Sequence, residues 1–455
     1  MTRSAADLPD LTASQLIPLY RRKQLSPVEV ARAVLGRIHA LNPKFNAFCV
    51  IGGDETLAAA RESEARWQKG APLSAVDGVP ATIKDLVLTR GWPTLRGSRT
   101  IDPNQRWDDD APAVARLREA GAVLVGKTTT PEFGWKGVCD SPLTGITRNP
   151  WNPEMTSGGS SGGAGVAAAM GLGALHLGTD GGGSIRIPAG FCGIFGLKPS
   201  FGRVPAWPLS PFGTVAHLGP VTASVEDAAR MLSVIGQPDD RDWHALPAPE
   251  RDYVVGLDAG VARLRMGLSL DLGYVQVDPR VRELVRQAAQ RFVELGAVVE
   301  DADPGFADPL KVFAHHWHSG AAFLRRGIPS DKHALIDPGF HQFADLGEAV
   351  PHLDYLQSMD ARGQLGVLMN RYHRRYDVLL TPTLPIVAFE AGRIAPKEYE
   401  NTWTTWAPFS FPFNLTQQPA ASIPCGFVDG LPVGLQIVGP KYRDDLVLRV
   451  ARAFE

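Results

Sequence analysis

The sequence has little charge imbalance and few cysteines. It has 46 lysine and arginine residues against 48 aspartate and glutamate residues, which leaves a formal net charge of −2 over 455 residues. Such a chain lacks the basic excess that binds nucleic acid or acidic membranes. The four cysteines lie far apart and form no C-x-x-C pair, so disulfides are not expected and a reducing compartment fits better.

Long hydrophobic runs are also missing. No stretch approaches the roughly 18 uninterrupted apolar residues that a membrane-spanning helix needs. The first ten residues, Met1 to Asp10, contain no apolar segment of the kind found in signal peptides. These absences predict a cytoplasmic protein with neither a membrane partner nor a nucleic-acid partner.

The pattern of apolar and turn residues alternates between strands and helices from end to end. Ser26 begins a capping box with proline at the first helical position, and Ser224 begins a second one. Residues 78–88 are short, β-branched and apolar, which is typical of a buried strand. Such alternation predicts an α/β architecture in which a mixed, largely parallel central sheet is sandwiched by helices.

Glycine is concentrated in one part of the chain. Of its 47 glycines, 14 fall within the 39 residues from Gly158 to Gly196. Each glycine adds backbone entropy that folding must remove, so this density indicates backbone that turns sharply or brings N–H groups close to a ligand. Ser160 and Ser184 lie in these loops. A serine on such backbone is a candidate nucleophile with oxyanion donors beside it.

Two common motifs match this part of the chain by letter but not by context. Residues 121–128 satisfy the phosphate-loop pattern, yet their variable positions read as a strand and no helix follows. Residues 158–162 satisfy the G-x-S-x-G pattern of a hydrolase nucleophile elbow. The two-proline loop before them, residues 149–157, cannot be the central strand that this elbow requires. We therefore set both interpretations aside.

Several segments, taken in order, closely resemble the amidase signature family. The segments are Gly78–Asp85, Gly158–Gly163, Gly178–Ala189, Phe191–Pro199, Tyr376–Thr383, Pro412–Ala420 and Gly430–Pro440. The resemblance covers nearly the whole chain and is weakest from about residue 240 to 370. It implies a single large domain over residues 1–455. Within it we expect a helical N-terminal region (1–60), a catalytic core (61–240), a divergent, mostly helical substrate-side region (241–375) and a C-terminal return to the core sheet (376–455).

The resemblance also implies roles for individual residues. Ser184 would be the nucleophile, Ser160 a bridging serine on a cis Gly159–Ser160 peptide, and Lys84 the base. The oxyanion hole would be formed by the N–H groups of Gly181, Gly182, Gly183 and Ser184. Family members more often carry a bulkier residue at the position of Gly181, so this glycine either widens the pocket or loosens the hole. No metal or other cofactor is implied.

Elementary acid–base chemistry sets a condition on Lys84. An exposed lysine has a pKa of about 10.4 and is almost wholly protonated near pH 7, so it cannot act as a base. Burial disfavours the charged form and lowers the pKa. The apolar strand around Lys84 suits such burial, and Asp85 should point to the opposite face, where it would not restore the proton.

Other residues near the motifs have supporting interpretations. Asp180 and Arg186 flank Ser184 and are predicted to brace its loop. The proline-rich aromatic runs at 205–212 and 403–413 either line a pocket or belong to the core. The histidines of residues 315–318 lack the H-E-x-x-H spacing of a zinc site, so a structural or pocket-lining role is favoured.

The implied activity is hydrolysis of a carboxamide C–N bond through a serine acyl-enzyme. The aromatic loops favour a small hydrophobic or aryl amide, and the family also includes carbamate (urethane) hydrolases. One alternative is a glutaminase-type A-subunit of a tRNA-dependent amidotransferase. Another is a non-catalytic member of the same fold. We expect a small-molecule amide or carbamate as partner, and a monomer or homodimer.

Overall fold

The structure is a computed structural model that describes residues 7–399 and 402–455. Residues 1–6, the start of the predicted helical N-terminal region, lie outside the described residues. The helices in chain order are α1 (Ala13–Arg21), α2 (Pro27–Phe45), α3 (Asp54–Gln68), α4 (Pro112–Glu119), α5 (Gly162–Ala169), α6 (Arg186–Cys192), α7 (Val225–Ile235), α8 (Pro279–Glu294), α9 (Leu310–Arg326), α10 (Pro338–Glu348), α11 (His352–Tyr372), α12 (Pro412–Leu415) and α13 (Asp444–Phe454).

An eleven-stranded sheet runs through the described part of the chain, and a two-stranded hairpin is separate from it. The strands in chain order are β1 (Phe48–Ile51), β2 (Pro80–Lys84), β3 (Val123–Thr128), β4 (Asp140–Ser141), β5 (Gly145–Ile146), β6 (Leu175–Asp180), β7 (Phe195–Lys198), β8 (His217–Thr222), β9 (Arg265–Leu268), β10 (Val298–Asp301), β11 (Val378–Pro382), β12 (Ala420–Val428) and β13 (Leu431–Val438). The large sheet has the order β1-β3-β2-β6-β8-β7-β12-β13-β11-β9-β10, and β4 pairs with β5.

The α/β class, with one mixed sheet flanked by helices, is confirmed. Parallel pairs lie towards the two ends of the sheet, β3–β2–β6 on one side and β11–β9–β10 on the other. All pairs from β6 through β8, β7, β12 and β13 to β11 are antiparallel, as is β1–β3. The expected parallel character therefore holds near the ends and not in the middle. There β12 and β13 form a hairpin whose turn, Asp429–Gly430, has positive φ at both residues, as the favoured two-residue hairpin turns require.

Of the two predicted capping boxes, one is complete in the structure and the other forms only one of its two hydrogen bonds. The box that begins at Ser26 is complete and starts α2. At the start of α7, Ser224 accepts a hydrogen bond from the Asp227 backbone, but the return bond is not made. The Asp227 carboxylate instead accepts from the backbone N–H groups of Ala13 and Ser14 at the start of α1. This contact fixes the N-terminal helix to the core, because two otherwise unpaired helix-end donors are satisfied.

Three further features of the described residues bear on the sequence patterns. Residues 123–128 of the phosphate-loop pattern form β3, and the loop before Ser160 contains no strand of the large sheet. Helices α9, α10 and α11 lie within residues 241–375, a region that also contains β9, α8 and β10. No helix in the described ranges is both long and apolar enough to cross a membrane.

Candidate active site

Two parallel neighbours in the sheet place the key motifs together. Strands β2 and β6 pair in register at Ile83 and Leu177, so they end at the same edge of the sheet. Strand β2 ends at Lys84, and β6 ends at Asp180, just before the triple-glycine loop. The loop that carries Ser160 leads into α5 at this edge, where its hydroxyl contacts the Lys84 ammonium group.

Lys84 is completely buried among hydroxyl groups. Its Nζ lies 2.6 Å from Ser160 Oγ, 2.9 Å from Ser161 Oγ and 2.8 Å from Thr179 Oγ1. Burial lowers the pKa of Lys84 to about 7, although the nearby charge of Asp180 works in the opposite direction. No carboxylate forms an ion pair with Nζ within the described residues. A substantial fraction of this lysine is therefore neutral at physiological pH.

Asp85 faces away from Lys84, as predicted. Its carboxylate pairs with the buried Lys127 at 3.0 Å, on the neighbouring strand β3. Because the Asp85 carboxylate is held by Lys127, it does not stabilise the protonated form of Lys84. The alternating sides of a strand therefore separate a low-pKa lysine from an ion pair one residue away.

Ser160 and Ser184 line the same cavity. The Gly159–Ser160 peptide is cis, in agreement with the prediction. A side chain at Gly159 would place its Cβ 2.5 Å from the backbone of Val138, so only glycine fits there. Ser184 is 6% exposed. Within the described residues its hydroxyl makes no hydrogen bond. The hydroxyls of Ser160 and Ser184 are therefore not hydrogen-bonded to each other in this structure.

A buried ion pair holds the loop that carries Ser184. Asp180 accepts hydrogen bonds from the backbone of Gly183 at 2.8 Å and of Ile185 at 3.2 Å. Arg186 donates to both carboxylate oxygens of Asp180, at 2.9 and 3.0 Å. Burial by itself would raise the pKa of Asp180, but the Arg186 charge and these hydrogen bonds hold it well below its usual range. The predicted bracing of the loop is thus observed.

Arg186 extends this network to the C-terminal part of the chain. Its guanidinium donates to the Ser410 carbonyl at 2.9 Å, to Gln436 Oε1 at 2.8 Å and to Asn414 Oδ1 at 2.7 Å. Arg186 is 0% exposed, and all these acceptors are buried. The loop that carries Ser184 is therefore held by one side chain that contacts both β13 and the segment around α12.

The predicted oxyanion donors are in two different situations. The N–H of Gly183 is engaged by Asp180, so in this structure it stabilises the loop. The N–H groups of Gly181, Gly182 and Ser184 have no acceptor within the described residues. Of these three residues, Gly181 and Ser184 line the cavity and Gly182 does not.

The cavity beside these residues has a volume of about 810 Å³ and a largely apolar wall. Residues 206–212 of the first aromatic run line it, whereas the second run, from 403 to 413, contributes none of the described lining residues and is buried core. Phe133 lines the cavity, whereas Trp135 is buried and is not part of the lining. The apolar lining includes Leu86, Val87, Phe133, Val204, Trp207, Leu209, Phe212 and Trp317.

The space beside Gly181 is filled by Trp317. A Cβ at position 181 would lie 2.7 Å from Cζ3 of this indole. The indole is fixed, because it stacks on Phe212 with 4.0 Å between ring centroids and donates from Nε1 to the Trp135 carbonyl at 2.9 Å. The missing side chain at Gly181 therefore does not enlarge the cavity. It makes room for an aromatic wall.

We expect Gly181→Ala to lower stability by about 1–3 kcal/mol, because the new methyl group overpacks against a fixed indole. In a Trp317→Leu background the same change should cost less, since the smaller side chain leaves room. Chemical denaturation of the four proteins of this double-mutant cycle measures the coupling. Gly36→Ala is the control, because a Cβ at that α2 position meets no atom within 4 Å. Equal costs of Gly181→Ala in both backgrounds would contradict the steric account.

Sequence reasoning missed two residues that contact Lys84. Ser161 and Thr179 both supply hydroxyls to its Nζ. Both lie inside the glycine-rich motifs, next to Ser160 and Asp180, so the signal was present in the sequence. What the sequence lacked was the pairing of β2 with β6, which brings Thr179 to the lysine.

The histidines and the buried cysteines have structural surroundings. In the described part of the chain no group of three or more histidine, cysteine or acidic residues is placed to hold a metal ion. His315 Nδ1 is 2.8 Å from Ser358 Oγ, and His318 packs against Phe343. Burial raises the pKa of the Cys139 and Cys192 thiols, which is typical of core cysteines.

Comparisons with known proteins give the family. The model of the amidase family matches residues 29–448. The chain is 36% identical over 454 residues to an acylamidase from Rhodococcus erythropolis, covering 98% of this chain and 95% of that protein. It is also 36% identical over 488 residues to the A-subunit of the glutamyl-tRNA(Gln) amidotransferase of Myxococcus xanthus (strain DK1622), covering 98% and 97%.

A solved structure agrees with these relatives. A bacterial aryl acylamidase of the amidase signature family superposes with a TM-score of 0.91 at 30% identity, covering 98% of this chain and 96% of that one. The fold is therefore that of an amidase signature hydrolase. The chain belongs to the amidase family, whose members include enzymes that hydrolyse amides.

Proposed function

We propose that this protein hydrolyses the C–N bond of small hydrophobic or aryl carboxamides through an acyl-enzyme on Ser184. The single observation that carries this proposal is Lys84. It is a buried lysine with a pKa of about 7, its Nζ is 2.6 Å from Ser160 Oγ, and Ser160 and Ser184 line one cavity. A serine near neutral pH needs such a base within hydrogen-bond reach.

The contacts of Lys84 orient its lone pair. The Ser161 hydroxyl donates its proton to the Thr179 carbonyl at 3.0 Å, so it accepts from Nζ. If Thr179 Oγ1 also accepts, neutral Nζ has used both of its N–H bonds. Its lone pair is then directed to the Ser160 hydroxyl. Ser160 would in turn accept the proton of Ser184 once a substrate brings the two hydroxyls within reach, since catalytic hydrogen bonds often tighten only with substrate bound.

Acylation then follows from this arrangement. Ser184 Oγ forms a bond to the amide carbon as its proton passes to Ser160 and from there to Lys84. The carbonyl oxygen gains negative charge, which the free N–H groups of Gly181, Gly182 and Ser184 would stabilise. Collapse breaks the C–N bond, and the amine leaves with the proton returned through Ser160. Water attacks the acyl-enzyme by the same relay and releases the carboxylic acid.

The wall of the cavity supports the substrate class. Its aromatic and aliphatic members favour a hydrophobic acyl or amine group. The similarity to an acylamidase and to an aryl acylamidase supports the same assignment. Carbamates pass through a similar tetrahedral intermediate, so urethane hydrolysis is included in the proposal as a secondary activity.

A second candidate rests on the similarity to the amidotransferase A-subunit. That protein is part of an amidotransferase, and the corresponding function here would be release of ammonia from glutamine within a complex. The largely apolar cavity favours the first candidate, because a small polar substrate such as glutamine would leave much of it unfilled.

Purified wild-type protein tests the proposal on four substrates: acetanilide, a primary aliphatic amide, glutamine and an aryl carbamate. Release of amine or ammonia is followed for each. We expect acetanilide to have the highest kcat/KM and the carbamate to be hydrolysed more slowly. Turnover of glutamine alone would contradict the assignment and support the amidotransferase function.

A further inference from the structure

Arg96 lies in the wall of the cavity. Its backbone is left-handed, with φ of 55°, and the following Gly97 has φ of 64°. An arginine rarely adopts this conformation, so the surrounding structure must hold it. It does so at two points: the Arg96 carbonyl accepts from Phe133 N–H at 2.8 Å, and Gly97 N–H lies 3.4 Å from Asp85 Oδ2.

The Arg96 side chain has no protein partner. Within residues 7–399 and 402–455 its guanidinium makes no ion pair, no hydrogen bond and no stacking contact with an aromatic ring. Arg362 provides a comparison, because it is also only partly exposed. Its guanidinium donates to the Leu415 carbonyl and to both oxygens of Thr214. Arg96 is partly exposed and lines the cavity, so its unpartnered guanidinium is accessible to a ligand there.

The charges around Arg96 leave its positive charge uncompensated. Asp85 is the acidic residue whose field reaches it, and Asp85 is already paired with Lys127. Asp242, also in the cavity wall, accepts from the backbone N–H groups of Ala206 and His244. Burial lowers the pKa of Arg96, which indicates that its charge is poorly solvated. An arginine nonetheless stays protonated in proteins.

Two other basic side chains in the wall have partners of their own. Arg326 is exposed and lies 3.8 Å from Glu348. His217 directs Nδ1 to the Val215 carbonyl at 2.8 Å. Among the described residues that line the cavity, Arg96 is thus the one cationic side chain without a partner, and it lies in a wall that is otherwise mostly apolar.

We propose that Arg96 binds a carboxylate on the substrate, so that the preferred substrates are hydrophobic amides that also carry a carboxylate. The planar guanidinium fork matches a carboxylate in a bidentate contact. The inference rests on the proposed function, because it takes the cavity beside Ser184 as the substrate site.

Binding can be measured without turnover in a Ser184→Ala background by calorimetry. Two matched pairs of probes place the carboxylate on either side of the amide. 4-Acetamidobenzoate is compared with 4-acetamidotoluene, and N-phenylsuccinamate is compared with N-phenylbutanamide. We expect at least one carboxylate to bind roughly 10- to 100-fold more tightly than its neutral partner, as a charged hydrogen-bonded pair would give.

Adding Arg96→Met should remove this preference and leave binding of the neutral probes within about twofold. Arg99→Met is the matched control, because it removes the same charge from an exposed position three residues along. It should retain the preference. If Arg96→Met does not fold, Arg96→Lys replaces it and should reduce the preference to about threefold, since a lysine lacks the fork.

Two results would overturn the inference. One is that neither carboxylate binds more tightly than its neutral partner. The other is that the Arg96 and Arg99 variants weaken carboxylate binding equally, which would indicate only a long-range effect of charge. Failure of the wild type to hydrolyse any amide would contradict the proposed function and leave this binding result intact, so the two failures are distinguishable.

Discussion

Replacing Ser184 with alanine is expected to lower kcat for amide hydrolysis roughly 10⁴-fold or more, because no acyl-enzyme can form. The substitution removes one oxygen atom at a site held by the Asp180–Arg186 pair, so the fold should be retained. Steady-state release of aniline from acetanilide measures the effect. A thermal unfolding midpoint of the variant equal to that of the wild type would show that the variant is folded.

Ser14→Ala serves as the control, since Ser14 lies on α1 and is not among the residues that line the cavity. It should retain full activity. Wild-type-like turnover by the Ser184 variant would exclude Ser184 as the nucleophile. Adding Lys84→Met to Ser184→Ala should lower kcat little further, because the effects of substituting residues that act as one catalytic unit are strongly non-additive.

Replacing Lys84 with methionine is expected to lower kcat roughly 10²- to 10⁴-fold, the usual contribution of a positioned base. Methionine is a suitable replacement because it fills the volume of a buried, uncharged lysine without placing a charge among Ser160, Ser161 and Thr179. Acetanilide hydrolysis at saturating substrate gives kcat directly. Arg186 and the loop it braces are untouched by this change, so KM should alter little.

The pH profile tests the same residue in the wild type. Only neutral Lys84 can accept a proton, and its pKa is about 7. Activity should therefore be lost below that pKa, falling about tenfold per pH unit in kcat/KM, and should reach a plateau above it. The residual activity of Lys84→Met should lack this acidic limb. A wild-type profile that stays flat from pH 5 to 8 would contradict the assignment of Lys84 as the base.

The sequence was informative where function restricts the residues locally. Glycine-dense loops around Ser160 and Ser184, and an apolar strand ending at Lys84, indicated candidate residues. The structure places both serines in the wall of one cavity and Lys84 against Ser160. The cis peptide before Ser160 and the outward-facing Asp85 were also anticipated. The family resemblance implied the cis peptide, and the alternation of side chains along a strand predicted the direction of Asp85.

Long-range pairing is where the sequence was less informative. Strands β7 and β8 were missed, and with them the antiparallel middle of the sheet. The Asp429–Gly430 dipeptide is typical of a two-residue hairpin turn, so the β12–β13 hairpin is one long-range pairing that the sequence does indicate. By contrast, the engagement of Gly183 by Asp180 and the packing of Trp317 on Gly181 depend on tertiary geometry that no local pattern records.

The reach of Arg186 has a consequence for how the active protein is made. Its partners Ser410, Asn414 and Gln436 lie 224, 228 and 250 positions further along the chain. During synthesis the loop with Ser184 leaves the ribosome long before these acceptors exist, and until they arrive the guanidinium remains without its buried partners. The contacts of the loop that carries Ser184 are therefore completed late, when the C-terminal hairpin docks. A partly synthesised chain therefore carries Lys84, Ser160 and Ser184 but still lacks the contacts that hold the loop with Ser184.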